Sequence, residues 1–188
     1  MAIYSYQDKL IESHDRELHK ILDKIYMSIF PEKSVVRVEY DNSLLFQRSG
    51  RDLRIILKKA GNDSVNLYMF ETIEEKIRSA SCSNYDDILI EYLSNKEYGT
   101  LGWIYTSEAD WLSYVKQPSG FVEVFVFPMQ QLKHWFMFNW QNYRDVETKT
   151  KIGASFYTTV NKVIPLYDPK FQSFLGVHGF FHKKVERE

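Results

Sequence analysis

The chain has 188 residues, enough for one domain that buries about two-thirds of the surface its unfolded form exposes. Hydrophobic residues at 44%, charged residues at 26% and only 8 Gly and 5 Pro exclude collagen-like, low-complexity and disordered classes. A net charge of −1 excludes a protein that coats nucleic acid by bulk positive charge, though not one with a local basic cleft.

Residues 6–29 read as a helix, because Leu10, His14, Leu18, Ile21, Leu22, Ile25 and Ile29 recur at steps of three and four. Pro31 stops it. Glu17 falls on or beside the apolar stripe, while Asp8, Glu12, Asp15 and Asp23 fit the solvent side. Strands follow at Ser34–Tyr40, 52–58 and 65–78, and Lys59-Ala60-Gly61-Asn62-Asp63-Ser64 marks a hairpin between the last two. Another strand is expected at 86–92. Ser107-Glu108-Ala109-Asp110 resembles a capping box, so a second helix is expected from Ser107, with Ala109, Leu112, Tyr114 and Val115 as its apolar contacts. Pro118-Ser119-Gly120 ends it. Phe121–Pro128 is β-branched and aromatic throughout, the pattern of a strand covered on both faces. A third helix is expected at 129–143 and an extended stretch at 155–160, and the charged tail at 180–188 is expected to fray.

There is no internal repeat and no linker rich in Gly, Ser or Pro. One domain over 1–188 is expected, α/β or α+β in class, with an aromatic-rich C-terminal extension from about 144. The lone Cys82 can neither close an intramolecular disulfide nor found a Cys/His zinc set. No apolar run approaches the roughly 20 residues of a membrane-spanning helix. Residues 1–9 lack the pattern of a secretory leader, so no membrane partner and a cytoplasmic, intracellular location are expected.

Chemistry gathers at one place. Asp52 follows the turn-like Ser49-Gly50-Arg51, and Glu74-Glu75-Lys76 comes one hairpin later. Side chains alternate across a strand, so Glu74 and Lys76 share one face and Glu75 takes the other. If the two strands pair, Asp52, Glu74 and Lys76 converge at one sheet edge. Two clustered carboxylates repel unless a cation joins them or one holds a proton. Oxygen-only ligation of this kind suits Mg²⁺. A lysine beside it can orient or deprotonate water, or steady developing charge, which fits metal-assisted phosphodiester hydrolysis. The doubled acid leaves register open: a bulge would make Glu75 the ligand. Without that convergence, Asp52 is a turn residue and Glu74 and Glu75 are surface acids paired with Arg54 or Arg78. Arg51, Arg54 and Lys58, with Arg48 and Lys59, could hold phosphates beside the acids. Trp103, Trp111, Trp135 and Trp140 could stack on bases, although the last three fit helical core patterns.

The order Asp…Glu-x-Lys on a hairpin, after a helix with an inward acid, resembles the PD-(D/E)XK nuclease superfamily. The run Phe70-Glu71-Thr72-Ile73-Glu74-Glu75-Lys76-Ile77-Arg78, then Asp87-Ile88-Leu89-Ile90-Glu91-Tyr92, Gly102-Trp103-Ile104 and Ala109-Asp110-Trp111, is similar to uncharacterised phage and bacterial members. Arg51 stands where that superfamily usually has proline. The resemblance covers about 52–115, with a weaker extension to Glu17. It implies a restriction-endonuclease-like three-layer core, a mixed central sheet flanked by helices. It also implies a Mg²⁺-dependent endonuclease acting on DNA, with Mn²⁺ substituting, Asp52, Glu74 and Glu17 as metal ligands and Asp52, Glu74 and Lys76 as the catalytic set. A phage- or mobile-element-encoded protein and a homodimer are compatible with it. The alternative is a non-catalytic nucleic-acid-binding or interaction protein on the same fold.

Overall fold

Alternation decides the centre of the molecule. Leu53, Ile55 and Leu57 are buried on one face of their strand, and Arg54, Ile56 and Lys58 take the other. In Phe121–Pro128, Val122, Val124 and Val126 enter one core while Phe125 and Phe127 enter a second. The computed structural model describes residues 3–5, 15–29, 34–40, 43, 49–58, 68–78, 80–152 and 154–187.

The elements in chain order are β1 (Ile3–Ser5), α1 (Arg16–Tyr26), β2 (Ser34–Tyr40), β3 (Leu53–Lys58), β4 (Tyr68–Ile77), β5 (Asp87–Asn95), β6 (Thr100–Leu101) and α2 (Trp103–Thr106). Then come β7 (Trp111–Lys116), β8 (Phe121–Pro128), α3 (Met129–Asn139), β9 (Asp145–Ile152), β10 (Ser155–Pro165), α4 (Pro169–His178) and β11 (Phe181–Glu186). Strands β11-β8-β7-β4-β3-β2 form a six-stranded sheet and β1-β9-β10-β5-β6 a five-stranded one. Both are mixed: β4 runs parallel to β7 and β1 parallel to β9, while the other pairs are antiparallel. The chain is thus α+β in class.

Two cores lie on opposite faces of the six-stranded sheet. Leu18, Leu22, Ile25 and Tyr26 of α1 pack on Leu53, Ile55, Ile73, Val115 and the β8 valines. On the other face, Leu112, Tyr114, Phe125 and Phe127 meet Ile88 and Ile90 of β5, Ile164 of β10, and the apolar sides of α3 and α4. Helix α1 begins at Asp15, whose carboxylate accepts from the Glu17 and Leu18 N–H groups at 3.0 and 3.3 Å, an N-cap the periodicity alone did not locate. The expected helical turns at 6–14, with His14, and the 59–67 hairpin lie outside the described residues. No described helix is long and apolar enough to cross a membrane.

Two expectations are corrected. The helix expected from Ser107 is strand β7, seated between β4 and β8 and buried at five of its six positions. Trp-Leu-Ser-Tyr-Val has β-type composition, and a slot needing two ladders of hydrogen bonds outweighs a capping signal. The Ser and Asp of that signal serve other ends. The Ser107 hydroxyl accepts from the Ala109 N–H at 3.3 Å, and Asp110 Oδ2 accepts from the N–H and hydroxyl of Thr72 at 2.8 and 2.7 Å. The tail expected to fray is β11, paired with β8 from Phe181 to Glu186. From Asp145 onward the chain supplies strands to both sheets.

Asp110 is the clasp between β4 and β7, and Thr72 beneath it is 3% exposed. Asp110→Ala leaves a buried N–H and hydroxyl without their acceptor. A loss of about 1–3 kcal/mol is expected, read as a lower urea midpoint at unchanged slope.

Candidate functional site

Antiparallel pairing of β3 and β4 sets Leu53 opposite Ile73 and Arg54 opposite Thr72. Asp52 lies just beyond the end of this ladder. The Asp52 N–H donates to the Ile73 carbonyl at 2.9 Å, and Asp52 Oδ2 accepts from the Glu75 N–H at 2.7 Å. Asp52 is thereby fixed at the mouth of the hairpin, against the backbone of Ile73 and Glu75.

Glu74 is 2% exposed. Its Oε1 lies 2.6 Å from Lys76 Nζ, on the shared face that strand alternation requires. Its Oε2 is buried and has no hydrogen-bond partner among the described residues. The wall around that oxygen comes from two loops. Gly50 has φ +65°, and a β-carbon there would lie 2.5 Å from Glu74 Oε2 and 2.9 Å from Ser107. The Ser107 hydroxyl donates to the Gly50 carbonyl at 3.2 Å, and Lys133 of α3 donates from Nζ to the Ser107 carbonyl. Burial draws the Lys133 ammonium below the usual lysine range, against the pull of Glu74 and Glu108. Burial also opposes the charge on Lys76, but Glu74, Asp52 and, more weakly, Glu91 outweigh it and hold the ammonium well above its ordinary value.

The result is a buried anion with one cation on one oxygen and, among the described residues, no partner on the other. An unpaired buried carboxylate oxygen is costly, and a further cation would relieve it. Among the described residues no three His, Cys, Asp or Glu side chains form a ready metal cage. The acids that meet here are Glu74 and Asp52, both close enough to raise the Lys76 ammonium, and one or two carboxylates with several waters is the usual set for Mg²⁺.

Glu75 points to the other face, toward α1. The Tyr26 hydroxyl donates to Glu75 Oε2 at 2.5 Å and lies 2.8 Å from the Ser113 hydroxyl. Burial pushes the Glu75 carboxyl up to about 7. The Tyr26 hydrogen bond and the nearness of His19 and Lys76 pull it back, while Asp52 adds to the rise. No bulge interrupts the β3–β4 pairing from Tyr68 to Ile73 or the β4–β7 pairing from Ile73 to Ile77. Glu17, expected as a third acid, is in the first turn of α1 with its side chain 75% exposed, paired with Lys20 at 2.7 Å. Helix α1 instead sends Tyr26 and His19 to the back of β4.

Of the basic residues, Arg51 pairs with Glu108 at 2.6 Å and Arg54 with Glu39 at 3.7 Å. Arg54 and Lys58 share the sheet face of Glu74 by strand parity, and Lys58 is exposed. Trp103 is in the core with α3 and α4, Trp135 and Trp140 pack against it, and Trp111 packs on the α1 side. Gly50, Ser107 and Lys133 escaped the sequence reading. Gly50 was legible only as a turn, and Lys133 carries no local signal because its approach depends on where α3 packs.

Gly50→Ala puts a side chain at positive φ, costing about 1–2 kcal/mol, and drives it into Glu74. The expected outcome is a lower melting temperature and loss of Mn²⁺ binding by calorimetry. Glu75 has its own signature. The folded protein holds the Glu75 proton up to about pH 7, whereas the unfolded chain releases it near the ordinary 4.5. Between those values the folded state binds the extra proton, so stability falls as pH rises through this window. Glu75→Gln has no proton to lose. It should melt higher than the wild type above the window, match it below, and leave Mn²⁺ binding intact.

No protein-family model, no curated protein and no solved structure matches the chain, so the function of this site rests on its own chemistry.

Proposed function

We propose that the protein is a metal-dependent endonuclease of the PD-(D/E)XK type, hydrolysing DNA phosphodiester bonds at Asp52, Glu74 and Lys76. The observation that supports it best is the buried Glu74 carboxylate, with one oxygen on Lys76 and the other without a partner among the described residues. Asp52 and Glu74 would hold Mg²⁺, or Mn²⁺ in its place, and the bound ion would supply Lewis-acid polarisation of the scissile phosphodiester. Lys76 stays an ammonium beside two acids, so its part is to orient the attacking water and steady charge on the phosphate oxygens, not to take a proton. Gly50 and Ser107 keep the Glu74 oxygen enclosed, which strengthens every charge interaction there. Glu75 braces β4 from behind through Tyr26 and is not a ligand in this scheme. Arg54 and Lys58, on the same face, and Arg51, in the adjoining turn, would meet the phosphates of the substrate. DNA is the substrate, and an intracellular location the setting, that belong to this reading.

A supercoiled-plasmid nicking assay with Mg²⁺, Mn²⁺ and EDTA tests the reading. Nicking should require the metal and vanish in Asp52→Asn and Glu74→Gln, while Lys76→Ala should retain Mn²⁺ binding and slow cleavage by about 10²–10³-fold. A wild-type protein that neither nicks nor is stabilised by either metal would leave the non-catalytic binding protein as the better reading.

A further inference from the structure

The face of β4 that carries Glu74 continues away from it, with β3, in paired rungs. Arg54 stands opposite Thr72, Ile56 opposite Phe70, and Lys58 opposite Tyr68. Rungs on one face recur every two residues, about 6.6–6.8 Å apart. Thr72 is buried, but beyond it the strip opens: Phe70 is 60% and Tyr68 58% exposed, and Lys58 is exposed. Two aromatic rings on successive rungs are left to water beside an exposed cation, while the four tryptophans that could stack on bases are packed against the cores.

We propose that this strip binds an unpaired nucleic-acid strand, with bases stacked on Phe70 and Tyr68 and phosphates on Lys58 and Arg54, and leads it toward Glu74 and Lys76. Rings standing on an open sheet face give bases a stacking surface that tolerates any sequence. A duplex keeps its bases inside and offers such rings nothing to stack on. It would be held by many phosphate contacts, yet Arg54 already shares its charge with Glu39 and the chain has a net charge of −1. The proposal rests on the nuclease reading for the destination of the strand, but strand binding stands without cleavage.

The test is fluorescence anisotropy in EDTA with labelled single-stranded DNA, single-stranded RNA and a duplex of equal length. A single strand of either kind should bind more tightly than the duplex. Phe70→Ala and Tyr68→Ala should each weaken it by about 5- to 150-fold, the span for one stacked base, with melting temperature unchanged. Lys58→Ala should weaken binding and flatten its salt dependence. Tighter binding of the duplex, or single-strand binding indifferent to both ring substitutions, overturns the proposal. So does a wild-type dimer in sedimentation that Phe70→Ala dissolves, since a second copy would then cover the strip. Plasmid nicking without single-strand binding removes this inference and leaves the nuclease reading; single-strand binding without nicking does the reverse.

Discussion

Glu74 keeps a carboxylate where water does not reach, and the elements around it answer to that demand. Taking an ionised carboxyl out of water costs several kcal/mol unless a cation and donors replace its hydration. Lys76 supplies the cation from two positions along the same strand, so pleating alone brings the pair together. The other oxygen is closed in by the turn before β3 and the segment before β7. Those two loops are tied to each other: the Glu108 N–H donates to the Ser49 carbonyl at 2.8 Å and the Ser107 hydroxyl to the Gly50 carbonyl at 3.2 Å. Strand β4 is therefore held by an antiparallel neighbour on one edge and a parallel one on the other, and the loops feeding both neighbours meet over a single atom.

The two faces of β4 are chemically separate but electrically joined. In front, Glu74 and Lys76 lie among charged groups; behind, Glu75 is set against Tyr26 and Ser113 in the core that α1 covers. Asp52 touches both sides, because its carboxylate accepts from the Glu75 N–H while its charge favours the Lys76 ammonium and disfavours the Glu75 carboxylate. A slip of one residue in β4 would exchange Glu74 for Glu75 and set a bare acid against the core. The Tyr26–Glu75 contact therefore opposes that slip, so α1 serves the site through register without supplying a residue to it.

Much of this was legible because strand parity is a local property. Ser34–Tyr40 and Phe121–Pro128 form as their composition implies, and Glu74 and Lys76 share a face whatever surrounds them. Segments read from local signals went wrong where a partner was out of view. Ser107-Glu108-Ala109-Asp110 looks like a helix cap, but β4 and β8 offer both ladders to the residues that follow. The charged tail looks free, but Phe181 and Val185 pack on the valine core, while His182 stacks on Phe125 and Lys184 lies over Phe121 on the other face of β8. Glu17 sits one position before Leu18 on the helix, and one step of about 100° carries it from the buried stripe into solvent.

By itself, the sequence determined a mixed class, α/β or α+β, six of the strand positions, the hairpin carrying Asp52 and Glu74, and the facing of Glu74, Glu75 and Lys76. All of these follow from periodicity over a few residues. Only the tertiary structure decided that Gly50 and Ser107 enclose Glu74 Oε2, that Lys133 approaches from α3, and that Tyr26 and not Glu17 is the α1 group facing β4. Those contacts join residues dozens of positions apart. They depend on the rotation and docking of whole elements against two cores, which no local pattern encodes.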